Sequence, residues 1–253
     1  MHLTLALLMR HLLADLGSFR MTLTRMVLQP AVYLYVFGYV VGGMISGGSE
    51  RGYAAIMGPG IVAIAVMTAP FGAVGGTLVS GYYFRTLEGW LLAPVSLYQL
   101  LLAKLASGVV YGTLSAVIVG LLVWGILGVR PEALVSALML VIAGSALFSL
   151  LSLLVLLLPK TPDKGQELFS FLMMPMTFFG CTFYSHAMLE PPFSQLALLL
   201  PTTYIAEGLR SCYVSSHSHL PLDAVLLGLA VVLAVLLPLV AWSFQRRLGD
   251  YLW

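Results

Sequence analysis

The chain has 253 residues, 60% of them hydrophobic and only 9% charged, against roughly 25% charged in soluble domains. Its formal net charge of +2 argues against a nucleic-acid-binding surface, and its two cysteines, Cys181 and Cys212, exclude a disulfide framework. The thiols are read as two separate buried groups, with a structural pair as the alternative.

In chain order, the first feature is an apolar start over 3–9 that runs into Arg10, His11 and Asp15 without a small-residue cleavage pattern. That is no signal peptide. His11, Asp15, Ser18, Thr22 and Arg25 recur at steps of four and three, and Leu5, Leu8, Leu12, Leu16, Phe19 and Leu23 do the same on another face. Residues 1–25 are therefore expected to form an amphipathic helix in the membrane plane. A frayed tail is the alternative.

Six stretches then follow without Asp, Glu, Lys or Arg: 26–49, 52–84, 105–129, 133–159, 168–189 and 224–245. The shortest has 22 residues, and a helix needs about 20 apolar residues to cross the hydrocarbon core while satisfying its own backbone. The expected fold is an all-α membrane protein. Its transmembrane domain covers 26–253, with spans near 27–46, 57–80, 103–127, 133–158, 168–185 and 222–244. Placing the N-terminus inside puts nine Lys and Arg residues in inner segments and Arg51, Arg130 and Arg210 in outer ones. Both termini are thus expected to be cytoplasmic.

Two connections are more than turns. Residues 82–102 mix Arg85, Glu88, Trp90 and Pro94 with Leu and Ala, which suits a short amphipathic helix on the inner face, broken near Pro94. The outer region 185–223 is punctuated by Pro191, Pro192 and Pro201. Its apolar piece 193–200 is too short to cross and suits half-helices that dip back into the outer leaflet. Glu207 and Arg210, three apart, share a helix face. They are read as an exposed pair on the outer surface, with a gate as the sharper alternative.

Small-residue pairs mark helix contacts: Gly38 with Gly42, Gly43 with Gly47, Gly72 with Gly76, and Gly108 with Gly112. They serve either packing within one chain or a seam between two. Tyr33, Tyr35, Phe37 and Tyr39 crowd the first span, and Phe178, Phe179, Phe183 and Tyr184 the end of the fifth. Aromatic faces suit sugar rings or lipid chains, while interfacial belts or plain packing are the bland readings.

Catalytic chemistry is not indicated. The chain contains no Gly-x-x-x-x-Gly-Lys-Ser/Thr loop, no Gly-x-Ser-x-Gly elbow and no His-Glu-x-x-His helix. Ser145 is read as a small packing residue, and His217 and His219 as part of a polar loop rather than a metal site. Every charge is expected at a span end or in a loop, which argues against an ion-coupled carrier.

The segment Phe84-Arg85-Thr86-Leu87-Glu88-Gly89-Trp90-Leu91-Leu92-Ala93-Pro94-Val95-Ser96 resembles the inner-loop signature of ABC-2 type permeases. Met57-Gly58-Pro59-Gly60-Ile61, Gly180-Cys181-Thr182-Phe183-Tyr184-Ser185, and Pro201-Thr202-Thr203-Tyr204 with Leu209-Arg210 resemble that family's other segments in the same order. Two positions depart from it: Thr86 stands where an acidic residue is common, and Gly180-Cys181 where Ser-Gly is usual. The resemblance implies the six-span permease subunit of an ABC exporter in a bacterial inner membrane. Such a subunit pairs with a second copy of itself and binds two copies of a separate P-loop ATPase subunit. ATP and Mg belong to that partner; this chain itself holds no cofactor and no metal and is no enzyme. Membrane lipids are its other expected partners, and nucleic acid is not one. The resemblance implies ATPase coupling through Arg85, Glu88, Trp90 and Pro94. Tyr33, Tyr35, Phe37, Tyr39, Phe178 and Phe179 become pathway candidates, and Phe183, Tyr184, Tyr204, Glu207 and Arg210 outer-gate candidates. The substrate class is hydrophobic or amphipathic: a lipid, a lipid-linked saccharide or a drug. A secondary carrier or channel that needs no ATP is the competing function, and an intramembrane enzyme the weakest.

Overall fold

Apolar runs of this length have few ways to satisfy their backbone without water, and every regular element among the described residues is helical. The structure is a computed structural model that describes residues 28, 30–45, 50–84, 96–159, 161–213 and 221–250. The expected amphipathic helix at 1–25 and most of the expected inner-face helix, 85–95, lie outside the described residues.

A first helical segment, Pro30–Met44 (α1), widens into π-helical turns over Leu34–Val41. Next comes α2, Glu50–Tyr83, then α3, Leu97–Leu127, and α4, Leu134–Leu157. Helix α5 is Pro162–Phe179. After a 3₁₀ turn at His186–Met188 come two short helices, α6 (Phe193–Ala197) and α7 (Pro201–Tyr213). The last is α8, Leu222–Asp250.

Among the described residues four helices are long and apolar enough to cross a membrane: Tyr53–Tyr83, Leu97–Leu127, Leu134–Leu157 and Leu222–Arg246. They match the second, third, fourth and sixth expected spans. The other two differ. Of the first, only 28 and 30–45 are described, with a short apolar helix over Pro30–Met44. The fifth is shifted toward the N-terminus, covering Pro162–Phe179 instead of 168–185. Pro162 opens it at a position where a missing N–H costs nothing, and Gly180 and Cys181 end it early. Asp163, Lys164 and Glu167 therefore fall in its first two turns, and its apolar part is about 18 Å long at 1.5 Å per residue.

The third span also begins earlier than expected. Ser96 and Gln99 form a reciprocal cap, each side chain accepting the other's backbone N–H at 3.2 Å, which starts α3 at Leu97. Lys104 consequently lies about two turns inside the helix, fully buried. The helix stops at Gly128, whose left-handed φ of 68° lets its N–H reach the Trp124 carbonyl.

Helix α4 is the centre of the bundle, packed against α2, α3, α5, α7 and α8. Two apolar clusters run along it. One joins Met57, Ile61, Met67, Phe148, Ile205, Leu209 and Val225. The other joins Val74, Leu78, Leu101, Leu153, Val240 and Phe244. Gly108 and Gly112 let α3 approach α4 closely: a Cβ there would lie 2.3 Å from Ser149 Oγ and 2.4 Å from Ser145 Oγ. This pair serves packing within the chain, and Ser145 is a buried packing residue. Gly72 and Gly76, by contrast, have no described atom within 4 Å of such a Cβ. On the outside, Leu114, Val117, Leu121 and Trp124 of α3 and Leu227, Val231, Val235 and Trp242 of α8 are exposed. Apolar faces this large belong against lipid or another apolar surface.

Candidate functional site

Helix α7 is where polarity enters the apolar bundle. It starts with Pro201 at its first position, and the next three residues each spend a hydroxyl on a backbone carbonyl. Thr202 donates to Met176 at 3.0 Å, Thr203 to Ala197 at 2.5 Å, and Tyr204 to Leu198 at 2.8 Å. The Pro-Thr-Thr-Tyr element is thus a set of pins that fastens α7 to α5 and to the end of α6.

One turn further on stand Glu207 and Arg210, and the structure corrects the expectation of an exposed pair: both are 0% exposed. Each nitrogen of the guanidinium donates. Nη1 donates to Glu207 Oε1 at 2.5 Å, Nε to the Ile56 carbonyl at 3.1 Å, and Nη2 to the carbonyls of Cys181 and Tyr184 at 2.9 and 3.2 Å. Glu207 Oε1 also accepts the His186 N–H at 2.7 Å and the Ser185 hydroxyl at 3.4 Å. Its Oε2 is buried with no hydrogen-bond partner among the described residues. One buried ion pair therefore clamps α2, the 181–186 segment and α7 together. Breaking such a pair leaves an uncompensated buried charge, costing about 3–5 kcal/mol.

The clamp sits where helix geometry is already disturbed. Pro59, inside α2, cannot donate to the Ala55 carbonyl, and the neighbouring Ile56 carbonyl is the one Arg210 takes. Next to it, a Cβ on Gly60 would lie 1.6 Å from the Thr182 carbonyl oxygen, so glycine there admits the 181–182 backbone against α2. Cys181 itself has φ 55°, a left-handed conformation that normally selects glycine.

The aromatic candidates divide. Phe183, expected at a gate, is the hub on which pathway candidates converge. Phe37 stacks on it at 4.4 Å between ring centroids, Tyr33 meets it edge-on at 5.6 Å, and Phe178 lies at 5.8 Å. Phe179 faces Phe193 instead, at 6.3 Å, and Tyr35 is well exposed. Tyr184 donates its hydroxyl to the Phe178 carbonyl at 2.6 Å. Tyr39 lies in the π-helical turns, with its side chain outside the described residues. Arg85, Glu88, Trp90 and Pro94 also lie outside them. The described ends of their segment are anchored: the Tyr83 hydroxyl donates to Asp163 Oδ2, and Ser96 caps α3.

Sequence reasoning missed Lys104, whose Nζ donates to Thr77 Oγ1 across α2 and α3 at 2.5 Å. The available signal was the Ser96–Gln99 cap, which moves the helix start. It also missed Phe71 and Phe169, stacked at 3.5 Å with rings 2° from parallel; neither falls in a recognisable motif. Cys181 and Cys212 are both buried and free. Among the described residues no cluster of His, Cys, Asp and Glu has the makings of a metal site.

Comparison with known proteins settles the family. The model of the family described as "ABC-2 type transporter" matches residues 2–214. This chain belongs to the ABC-2 type transporter family. Curated relatives include the inner membrane transport permease YadH of Escherichia coli K12, with 26% identity over 226 residues, covering 89% of this chain and 88% of that protein. The same figures hold for the permeases of that name from Escherichia coli O157:H7 and Shigella flexneri. As an ABC-2 family member the chain is a transmembrane permease subunit of an ABC transporter, and the family implies association with an ATP-binding subunit.

Proposed function

We propose that this chain is the membrane-spanning half of an exporter of the bacterial inner membrane, moving a hydrophobic or amphipathic substrate outward on ATP hydrolysed by a separate subunit. The observation that carries this reading is the family match over residues 2–214. The relatives' printed names, inner membrane transport permease, support the location, as do four apolar helices long enough to cross.

In this reading two copies of the chain meet two ATPase subunits. The segment holding Arg85, Glu88, Trp90 and Pro94 makes the contact, two charges fixing register and one aromatic acting as anchor. It hangs between Tyr83, tied to Asp163, and the capped start of α3, so force applied there reaches α2, α3 and α5 together. α6 and α7 are the re-entrant outer half-helices. The first and fifth helical segments complete six crossings with the 1–25 helix lying in the inner interface and both termini cytoplasmic.

The path then passes the cluster of Tyr33, Phe37, Phe178 and Phe183, whose faces accept apolar chains and sugar rings alike. The Arg210–Glu207 clamp beside it is the outer gate. With the clamp made, the 181–186 segment is pressed on α2; movement of α2 against α7 releases it.

The test is purification of the tagged chain in mild detergent, identification of its companions by mass spectrometry, and assay of ATP hydrolysis with and without vanadate. A stoichiometric P-loop ATPase with vanadate-sensitive turnover is expected. A clean chain that transports in liposomes under an ion gradient alone would establish the carrier reading in its place. Crosslinking Tyr33→Cys to Phe183→Cys in a background lacking Cys181 and Cys212 is expected to stop export; unchanged export removes the gate.

A further inference from the structure

A second site lies on the flank of the bundle, lined by none of the residues of the clamp or the aromatic cluster. Where α3 and α4 come together, a groove of about 370 Å³ runs between them with α7 beneath, at the small end of the range for ligand pockets. Its floor is Val62 and Leu209, both buried, and its walls include Leu121 and Leu138, both exposed. A soluble ligand has no reason to enter such a groove from within a membrane; an acyl chain does.

Two polar groups break the apolar lining. Tyr213 is only 5% exposed. Its hydroxyl lies against Gly120 inside the groove and has no hydrogen-bond partner among the described residues. At one end stands Arg130, exposed and in no ion pair among the described residues. The turn that carries it is braced on both sides. Gly128 closes α3 through Trp124, and the N–H groups of Glu132 and Ala133 donate to the Cys212 carbonyl at 2.8 and 3.1 Å. The guanidinium is therefore presented from a fixed backbone.

An apolar trough, a lone hydroxyl donor inside it and a guanidinium at its end complement the three parts of a glycerophospholipid: acyl chain, ester carbonyl and phosphate. We propose that this groove is a phospholipid-binding site, with the phosphate on Arg130 and an ester carbonyl accepting from Tyr213. Guanidinium and phosphate match in charge and in fork geometry. With the Glu132 carboxylate two residues away, the feature recognised is the phosphate and not net negative charge.

The test is native mass spectrometry of the delipidated full chain, with any ATPase that accompanies it. The sample is titrated with phosphatidylglycerol, phosphatidylethanolamine, diacylglycerol of the same chains, and glycerol phosphate. Both phospholipids are expected to give a saturating adduct of one lipid per chain, at concentrations where diacylglycerol and glycerol phosphate give none. Arg130→Gln should weaken that adduct about tenfold and Tyr213→Phe by a smaller factor. Gly120→Leu should abolish it, since a Cβ there has Tyr213 Oη as its nearest neighbour at 3.5 Å and the longer side chain fills the trough. Diacylglycerol binding as well as the phospholipids would overturn the phosphate contact. Undiminished binding by Arg130→Gln and Tyr213→Phe, both conservative enough to leave the bundle folded, would overturn the site.

Discussion

Two fully buried cations, Arg210 and Lys104, stand toward opposite ends of the bundle, and the protein uses them differently. Their contacts on α2, the Ile56 carbonyl and the Thr77 hydroxyl, are 21 residues apart (77 − 56), about 32 Å along a helix. That is close to the thickness of a hydrocarbon core. Arg210 serves a disturbed backbone: a carbonyl beside the proline of α2 and two more from the segment containing left-handed Cys181. Lys104 reaches a threonine whose hydroxyl is itself bonded to the Ala73 and Val74 carbonyls of its own helix. That hydroxyl is already satisfied by its own helix. A planar fork can organise irregular chain, whereas an ammonium adds one point charge to a structure already formed.

The strongest way to break this contrast is Arg210→Met. It removes four donated hydrogen bonds and leaves the Glu207 carboxylate without its cation, so a loss of about 3–5 kcal/mol is expected, read as reduced thermal unfolding temperature in detergent. Exchanging the two residues, Glu207→Arg with Arg210→Glu, should not restore it, because the Ile56, Cys181 and Tyr184 carbonyls would still lack a donor. Recovery by the exchange would reduce the clamp to a simple ion pair.

Close approach at the same end gives the next effect. Gly60→Ala forces a methyl into the Thr182 backbone, where neither side has a flexible end to move, and should cost about 3 kcal/mol, at the upper end of ordinary overpacking. Gly76→Ala is the matched control: open space surrounds it, and alanine in a helix interior should gain up to about 1 kcal/mol. Equal effects at the two positions, measured by the same unfolding assay, would mean that the 181–182 segment does not bear on α2. At the other end Lys104→Met is expected to cost less than about 2 kcal/mol, since Thr77 keeps its own carbonyl partners. A loss matching Arg210→Met would end the distinction between the two cations.

What the sequence shows follows from the same contrast. Four of the expected spans are legible because twenty or more apolar residues leave few alternatives to a helix. The inner connection and the N-terminal helix are named by pattern but lie outside the described residues. The clamp was not legible from spacing: Glu207 and Arg210 three apart look the same on a surface as in a core. Whether α7 is buried depends on Pro59, Gly60 and the 181–186 segment meeting more than a hundred residues apart in the chain. The resemblance pointed to all three segments without giving the reason they belong together: Arg210 of the last bonds the middle one at Cys181 and Tyr184 and reaches α2 at Ile56, one residue before the first. The Lys104 position was misjudged for a local reason, because a cap at Ser96 adds nearly two turns to a helix that charge counting starts later.

The smallest expected effect tests the backbone beneath the clamp. At Cys181 the family resemblance implies glycine, and this chain keeps the left-handed φ of 55° with a side chain in place. A Cβ in that conformation costs about 1 kcal/mol, and the buried thiol offsets part of it by packing. Cys181→Gly removes the strain and the packing together, leaving stability within about 1 kcal/mol of the parent once the extra freedom of the unfolded chain is included. Cys181→Ala keeps the strain and loses the thiol, so it should be the less stable variant by about 0.5 kcal/mol once the unfolded-chain term is subtracted. At an ordinary buried position alanine outranks glycine. The inverted order, read from thermal unfolding of the two proteins in one detergent, is the signature of a left-handed residue held against α2 by Arg210, and the usual order would show that the segment relaxes to another conformation.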